Sequence, residues 1–237
     1  MSNEIRLNRF EVKDYQYEEA IKTLRTNIQF SGRNLKVIMM TSSVPNEGKS
    51  ETSFSLASSL AQLDKKVLLI DADIRKSVFA SRYHLGKTVD GLSQYLSGQK
   101  KMDEVVYQTN VPNLSMIFAG PFCPNPAELL EENLMGNLIS RGREYYDYVI
   151  IDTPPMSNLI DGAVISQHCD GAVIVIESGA ISYRILQKVK TQLSKSGCRI
   201  LGVVLNKVNI HESGYYHYYG KYGEYYSYGK EYGKEES

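Results

Sequence analysis

The residues best suited to chemistry lie in Ser43–Glu51, "SVPNEGKSE". Glu47-Gly48-Lys49-Ser50 is the end of the phosphate-loop pattern, set between an apolar run and a helical stretch. A phosphate ester is held by such a turn because its backbone N–H groups, with those of the following helix N-terminus, converge on the anion. Lys49 can reach the β- and γ-oxygens as a point charge, and Ser50 offers a hydroxyl to Mg²⁺. Ser43 stands where the general pattern has its first glycine, and Asn46 where another glycine is expected. Asparagine tolerates left-handed backbone better than most residues, so the loop can survive both changes. A Gly-Lys-Ser tripeptide also occurs by chance in turns. The reading therefore rests on the strand before it, the helix after it and the acidic strand ends downstream. The candidate ATP-binding residues are Ser43, Pro45, Asn46, Glu47, Gly48, Lys49, Ser50, Glu51 and Asn206.

Two apolar runs end in aspartates. "LLIDADIR" (Leu68–Arg75) carries Asp71 and Asp73, two apart and so on one face of a strand. "VIIDTPP" (Val149–Pro155) carries Asp152 in the Walker B position. At strand carboxyl ends these acids would meet the phosphate crevice. Like charges there repel unless a cation sits near, which suits Mg²⁺. Ser50, Asp71, Asp73 and Asp152 are the candidate metal residues. A strand-end aspartate can instead cap a helix or form a turn. Asn206 in "VLNKV" sits at a late strand end, where it either contacts adenine or shapes a turn.

Those positions need a parallel sheet beneath them. Leu35–Thr41, Lys66–Asp73, Tyr148–Pro155, Gly171–Ser178 and Arg199–Val208 are short, apolar and largely without polar alternation, as strands covered on both faces are. Leu114–Gly120 is a further predicted strand. Helical stretches separate them at Tyr17–Phe30, Ser50–Leu63, Pro126–Glu144, Ile160–His168 and Ile181–Ser196. The alternation predicts a doubly wound, mostly parallel α/β sheet with helices on both faces. Three segments follow: an extended N-terminal arm (1–16), a nucleotide-binding domain (17–209) and a tail (210–237). The tail lacks helical or strand periodicity and reads as disordered.

Composition sets bounds on function. Lysine plus arginine and aspartate plus glutamate number 27 each, so the overall charge favours no nucleic-acid partner. Cys123, Cys169 and Cys198 are scattered without metal spacing, which fits a reduced cytoplasmic compartment. No secretory signal opens the sequence, and no apolar run approaches the ~20 residues of a membrane span. The tail holds nine of the 18 tyrosines: Tyr215, Tyr216, Tyr218, Tyr219, Tyr222, Tyr225, Tyr226, Tyr228 and Tyr232. A tyrosine- and glycine-rich segment can self-associate, stack on single-stranded nucleic acid or accept phosphate. Lys221, Lys230 and Lys234 are outnumbered by Glu212, Glu224, Glu231, Glu235 and Glu236, which argues against nucleic acid.

Taken together, these motifs resemble the bacterial tyrosine kinases (BY-kinases) of capsule and exopolysaccharide clusters, the CpsD/CapB type. The matching residues are Pro45 to Ser50, the apolar-DxDxR run Leu68–Arg75, the apolar-DxxP run Val149–Pro155 and the terminal tyrosine cluster. Glu19, Lys22 and Arg25 occupy the family's E-x-x-R-x-x-R oligomerisation motif, with lysine for the first arginine; the swap keeps charge but loses a bidentate fork. The resemblance implies an autophosphorylating kinase using ATP and Mg²⁺, with Lys49, Asp71, Asp73 and Asp152 catalytic. Asp71 would accept the tyrosine proton, and the tail tyrosines would be phosphoacceptors for a neighbouring subunit. It further implies a homo-oligomeric ring, a transmembrane polysaccharide co-polymerase-type modulator that recruits the cytoplasmic kinase to the inner face of the membrane, and an antagonist phosphotyrosine phosphatase. The alternatives are an ATPase of the ParA/MinD kind and a nucleotide sensor without turnover. The ATPases carry an early lysine in K-G-G-x-G-K-[ST], where this chain has Val44.

Overall fold

A computed structural model describes residues 3–8, 14–85, 89–131, 133–156 and 161–209. Its strands are β1 (Asn3–Ile5), β2 (Val37–Ser42), β3 (Val67–Asp71), β4 (Tyr107–Thr109), β5 (Leu114–Ile117), β6 (Tyr148–Asp152), β7 (Gly171–Glu177) and β8 (Ile200–Asn206). They form one sheet in the order β1-β4-β5-β3-β6-β2-β7-β8, with every pair parallel except β4–β5. The helices are α1 (Tyr15–Phe30), α2 (Lys49–Ala61), α3 (Phe79–Arg82), α4 (Leu92–Leu96), α5 (Met102–Val105), α6 (Pro126–Glu131), α7 (Asn133–Tyr145), α8 (Asp161–Ser166) and α9 (Tyr183–Lys195).

The continuous apolar runs of β2, β3, β6 and β7 are explained by cover on both faces, whereas β8, expected to be covered likewise, lies at the sheet edge and leaves Val203 and Leu205 exposed. In β3, Val67 and Leu69 pack with Phe54, Leu56 and Leu60 of α2, while Leu68 and Ile70 pack with Leu130 of α6 and Leu138 of α7. A third cluster joins Met39 and Ile174 to Val189 and Leu193 of α9. All five β3 residues are fully buried. An alternating pattern would have placed polar groups under one helical layer, so none survives in the sequence.

Several segments differ from the sequence reading. The arm contributes β1, which pairs in parallel with β4. Leu7 is buried in the core beside it, and its backbone N–H donates to Asn110 Oδ1 at 2.9 Å. Strands of three residues are too short to carry a periodic signal, and β4 went unpredicted for the same reason. The helix expected over Pro126–Glu144 is described as α6 and α7, on either side of residue 132, which lies outside the described residues. By compactness the chain divides into Met1–Asn206 and Lys207–Ser237. Of the second unit only residues 207–209 are described, so the tail and its nine tyrosines lie outside the described residues.

The topology sets the position of the site. The crossover from β2 through α2 runs to β3, on one side of β2; that from β6 through α8 runs to β7, on the other. Connections that part in this way leave a crevice at the carboxyl ends of the strands.

Candidate active site

The loop after β2 is built around one buried acid. Glu47 is 1% exposed, and its Oε2 accepts the backbone N–H of Ser43 at 2.6 Å and of Val44 at 2.8 Å. Its Oε1 accepts from Glu177 N, at the end of β7, at 3.2 Å. Asn206 Nδ2, at the end of β8, donates to the Glu47 carbonyl at 2.9 Å. This side chain braces the loop from the neighbouring strand. Asn46 stands at φ 69°, in the left-handed region that an expected glycine would have supplied.

Gly48 is the N-cap of α2 at φ 85° and brings no side chain to the helix start. The first N–H groups of α2 are therefore left to an outside acceptor, as an anion-binding turn requires. A Cβ at Gly48 would lie 2.0 Å from Asn206 Nδ2, so the close approach needs glycine. Pro45 and Asn46 are exposed, Ser43 Oγ is buried without a hydrogen-bond partner among the described residues, and Glu51 forms an ion pair with Arg82 of α3.

Three hydroxyl and ammonium donors converge on Asp152, which is fully buried. Lys49 Nζ donates to its Oδ2 at 2.7 Å, and Ser50 Oγ donates to the same oxygen at 2.6 Å. Ser53 Oγ donates to Oδ1 at 2.7 Å. Asp71 is the register partner of Asp152 across β3 and β6, also fully buried, and accepts from Ser77 Oγ. Burial first, and the neighbouring Asp152 charge second, push the Asp71 carboxyl up to about 7. Burial also raises Asp73, whose Oδ1 accepts from Lys76 N at 3.0 Å. Arg75 forms a fork onto Asp161, with Nε–Oδ2 2.5 Å and Nη2–Oδ1 3.0 Å.

Lys49, Ser50, Asp71, Asp73 and Asp152 thus stand at one end of the central strands, as expected. Ser53, Ser77 and Asp161 were not anticipated. Asp161 lies inside the predicted Ile160–His168 helix, where an acid near the amino end reads as ordinary helix chemistry. The side chains of the helix expected to mediate assembly point in different directions. Glu19 Oε1 and Lys22 Nζ pair at 2.7 Å on the surface of α1. Arg25 instead turns onto α2, where its Nη1 donates to Ser59 O and Oγ, each at 3.0 Å.

Among the described residues no three His, Cys, Asp or Glu side chains converge into a metal cage. That donor set still fits Mg²⁺, which is usually bound by one or two carboxylates, a hydroxyl and substrate phosphates. Ser50 and Asp152 would hold it, with Asp71 at the end of the next strand and Asp73 on the turn that follows.

Fold and site together define a P-loop nucleotide-binding α/β domain. A family model described as AAA domain matches residues 35–200. The chain is 42% identical over 224 residues to "Tyrosine-protein kinase CpsD" of Streptococcus agalactiae, covering 92% of this chain and 97% of that protein. The solved kinase domain of Escherichia coli tyrosine kinase ETK superposes with a TM-score of 0.78 at 32% identity, over 83% of this chain and 77% of that one. The septum site-determining protein MinD complexed with Mg-ADP, from Pyrococcus horikoshii OT3, reaches a TM-score of 0.63 at 22% identity, over 75% and 72%, a likeness of fold alone. The chain belongs to the bacterial tyrosine-protein kinases (BY-kinases) of the CpsD type.

Proposed function

We propose that this chain, a tyrosine-protein kinase of capsule and exopolysaccharide synthesis, moves the γ-phosphoryl group of ATP onto the tyrosines of its own tail, in trans between subunits. The observation that carries the reading is Asp71, a buried carboxyl pushed up to about 7 beside the Asp152–Lys49 pair. A general base works best when its pKa lies near the working pH. A tyrosine hydroxyl, with a pKa of about 10, must lose its proton as it attacks, and Asp71 would accept it. Ser77, donating to the other face of that carboxylate, would hold its orientation.

Lys49 would exchange Asp152 for the phosphate oxygens and counter the charge that develops on them. The N–H groups of the Glu47–Ser50 turn would fix the phosphates in line with the acceptor. Mg²⁺, when bound at Ser50 and Asp152, supplies charge neutralisation of the phosphates. Phosphoryl transfer depends chiefly on such positioning and neutralisation.

The family resemblance supports the rest of the reading. Tyr215, Tyr216, Tyr218, Tyr219, Tyr222, Tyr225, Tyr226, Tyr228 and Tyr232 are the acceptors. Glu19, Lys22 and Arg25 mediate a homo-oligomeric ring. A transmembrane modulator of the polysaccharide co-polymerase class brings the kinase to the inner membrane face, and a phosphotyrosine phosphatase opposes it. Each phosphate adds about −1.5 to −2 charges, so a loaded tail would be repelled from the acidic sites and loosen the ring.

The test is intact and peptide mass spectrometry after incubation with Mg·ATP, with and without a modulator tail peptide. Wild type gains phosphates stepwise on Tyr215–Tyr232, and Lys49→Met loses about 10²–10³-fold in rate. ATP hydrolysis without phosphotyrosine under either condition would move the chain to the ATPase class.

A further inference from the structure

Arg75 feels the charge of two acids and engages one of them. Asp161, the first residue of α8, is fully buried, and both its oxygens accept from the Arg75 fork. The other acid is Asp73, two residues upstream on the same turn, near enough for its charge to be felt at Arg75. Asp73 accepts backbone N–H groups of its own turn, Lys76 N at 3.0 Å among them. The fork links the loop that leaves β3 to the helix reached from β6, the two strands that carry Asp71 and Asp152.

We propose that Asp161 is a positioning residue for the metal site: it holds the Arg75 guanidinium away from Asp73 and keeps that carboxylate available to a divalent cation. The inference rests on the Mg·nucleotide reading above. A planar fork held bidentate by one carboxylate is not offered to another. An unpaired carboxylate as buried as Asp161 would be very costly, so the guanidinium resides there. Among the described residues Asp71, Asp73 and Asp152 then face one lysine, Lys49, and leave an excess of negative charge that a dication can fill. With Asp161 neutralised, Arg75 would fall onto Asp73 and compete with the metal.

Binding of Mn²⁺ in the presence of ADP, followed by electron paramagnetic resonance, reads this without turnover; Mn²⁺ favours the same oxygen ligands as Mg²⁺. Wild type, Asp161→Asn, Arg75→Gln and the double variant are compared, with circular dichroism checking their folding. Asp161→Asn is expected to weaken Mn²⁺ binding by about 10-fold or more, as loss of outer-shell partners does. Arg75→Gln should stay close to wild type, and the double variant should return to the level of Arg75→Gln. Equal losses in all three variants, or no loss in Asp161→Asn, would overturn the proposal and leave a plain structural clasp. If Asp161→Asn fails to fold, Arg75→Lys against Arg75→Gln decides. The charge-retaining lysine should bind Mn²⁺ more weakly, and the opposite order overturns the proposal. Absence of ADP-dependent Mn²⁺ binding in wild type would overturn both this inference and the nucleotide reading beneath it.

Discussion

At the amino ends of β2 and β7, Asp170 receives the Arg143 fork, 2.8 Å from each of its two terminal nitrogens, and the N–H groups of Lys36 and Val37 at 2.8 and 2.7 Å. At the carboxyl ends of β3 and β6, Asp71 and Asp152 lie side by side with one lysine between three acids. Burial alone would raise the Asp170 carboxyl, but Arg143 and the two N–H groups outweigh it and hold it below its ordinary value. At Asp71 the Ser77 hydroxyl and the Lys49 charge do not offset burial and the neighbouring Asp152, and its carboxyl is pushed up to about 7. One end of the sheet shows an aspartate used as a clasp. The other shows aspartates kept short of positive charge where a cation and a phosphate would enter. Stability pays for that second arrangement, and function is the reason to keep it.

Exchanging the two roles by mutation gives the largest effects. Asp71→Asn should lower phosphotyrosine formation by about 10²–10⁴-fold. At pH 8 its denaturant midpoint should hold or rise, because a raised carboxyl is being removed. Asp170→Asn should do the reverse. It should cost about 2–4 kcal/mol of stability in urea melts, since it leaves the Arg143 fork half-paired, while the rate per folded molecule is unchanged.

The pH dependence separates the two ends next. The folded protein favours protonated Asp71, so in metal-free buffer stability falls as pH rises from the ordinary carboxylate value of 3.8 towards about 7. The full change is on the order of 4 kcal/mol. Asp71→Asn should flatten that slope in urea melts between pH 5 and pH 8. Asp170 works with the opposite sign: its contribution is complete above the ordinary carboxylate value and is lost as pH falls through its depressed folded value. Asp170→Asn should therefore shrink only the acid limb.

Smaller effects come from the brace around the phosphate loop. Gly48→Ala forces a side chain into left-handed backbone and onto Asn206, and ADP affinity should fall by about 10-fold or more, from about 1–2 kcal/mol of backbone strain alone. Asn206→Ala removes one hydrogen bond to Glu47 O and should cost about 1 kcal/mol of ADP binding, read by calorimetry. Lys22→Ala should leave the melting temperature unmoved, because its partner Glu19 is also on the surface, yet lower the oligomeric mass seen by light scattering.

The central strands were legible because two-sided burial erases polar positions and leaves continuous apolar runs ending in aspartate. The phosphate loop was legible because a short local pattern encodes it, and the αL-tolerant Asn46 fits where the pattern departs. What the sequence concealed was set by tertiary packing. β1 and β4 are three residues each, and α3, α4 and α5 are four or five, below any periodic signal. Asp161 meets Arg75 across 86 positions, and nothing local marks either as the other's partner. Arg25 reaches Ser59 of α2, and nothing local in the sequence marks that contact. The position of Asn206 at a strand end was right, while its partner depended on how β8 lies against the loop.

Complementation between two chains, neither of which can phosphorylate its own tail, tests the central claim most directly. A Lys49→Met chain with its tail intact is mixed with an active-site-intact chain whose tail tyrosines are all phenylalanine, the two being distinguished by mass, and Mg·ATP is added. Phosphate appearing on Tyr215–Tyr232 of the Lys49→Met chain is the predicted result, placing transfer at the acidic end of the sheet and between subunits. Phosphotyrosine absent from the mixture but present on wild type alone would contradict transfer in trans; its absence from both, with ATP still consumed, would contradict the kinase account itself.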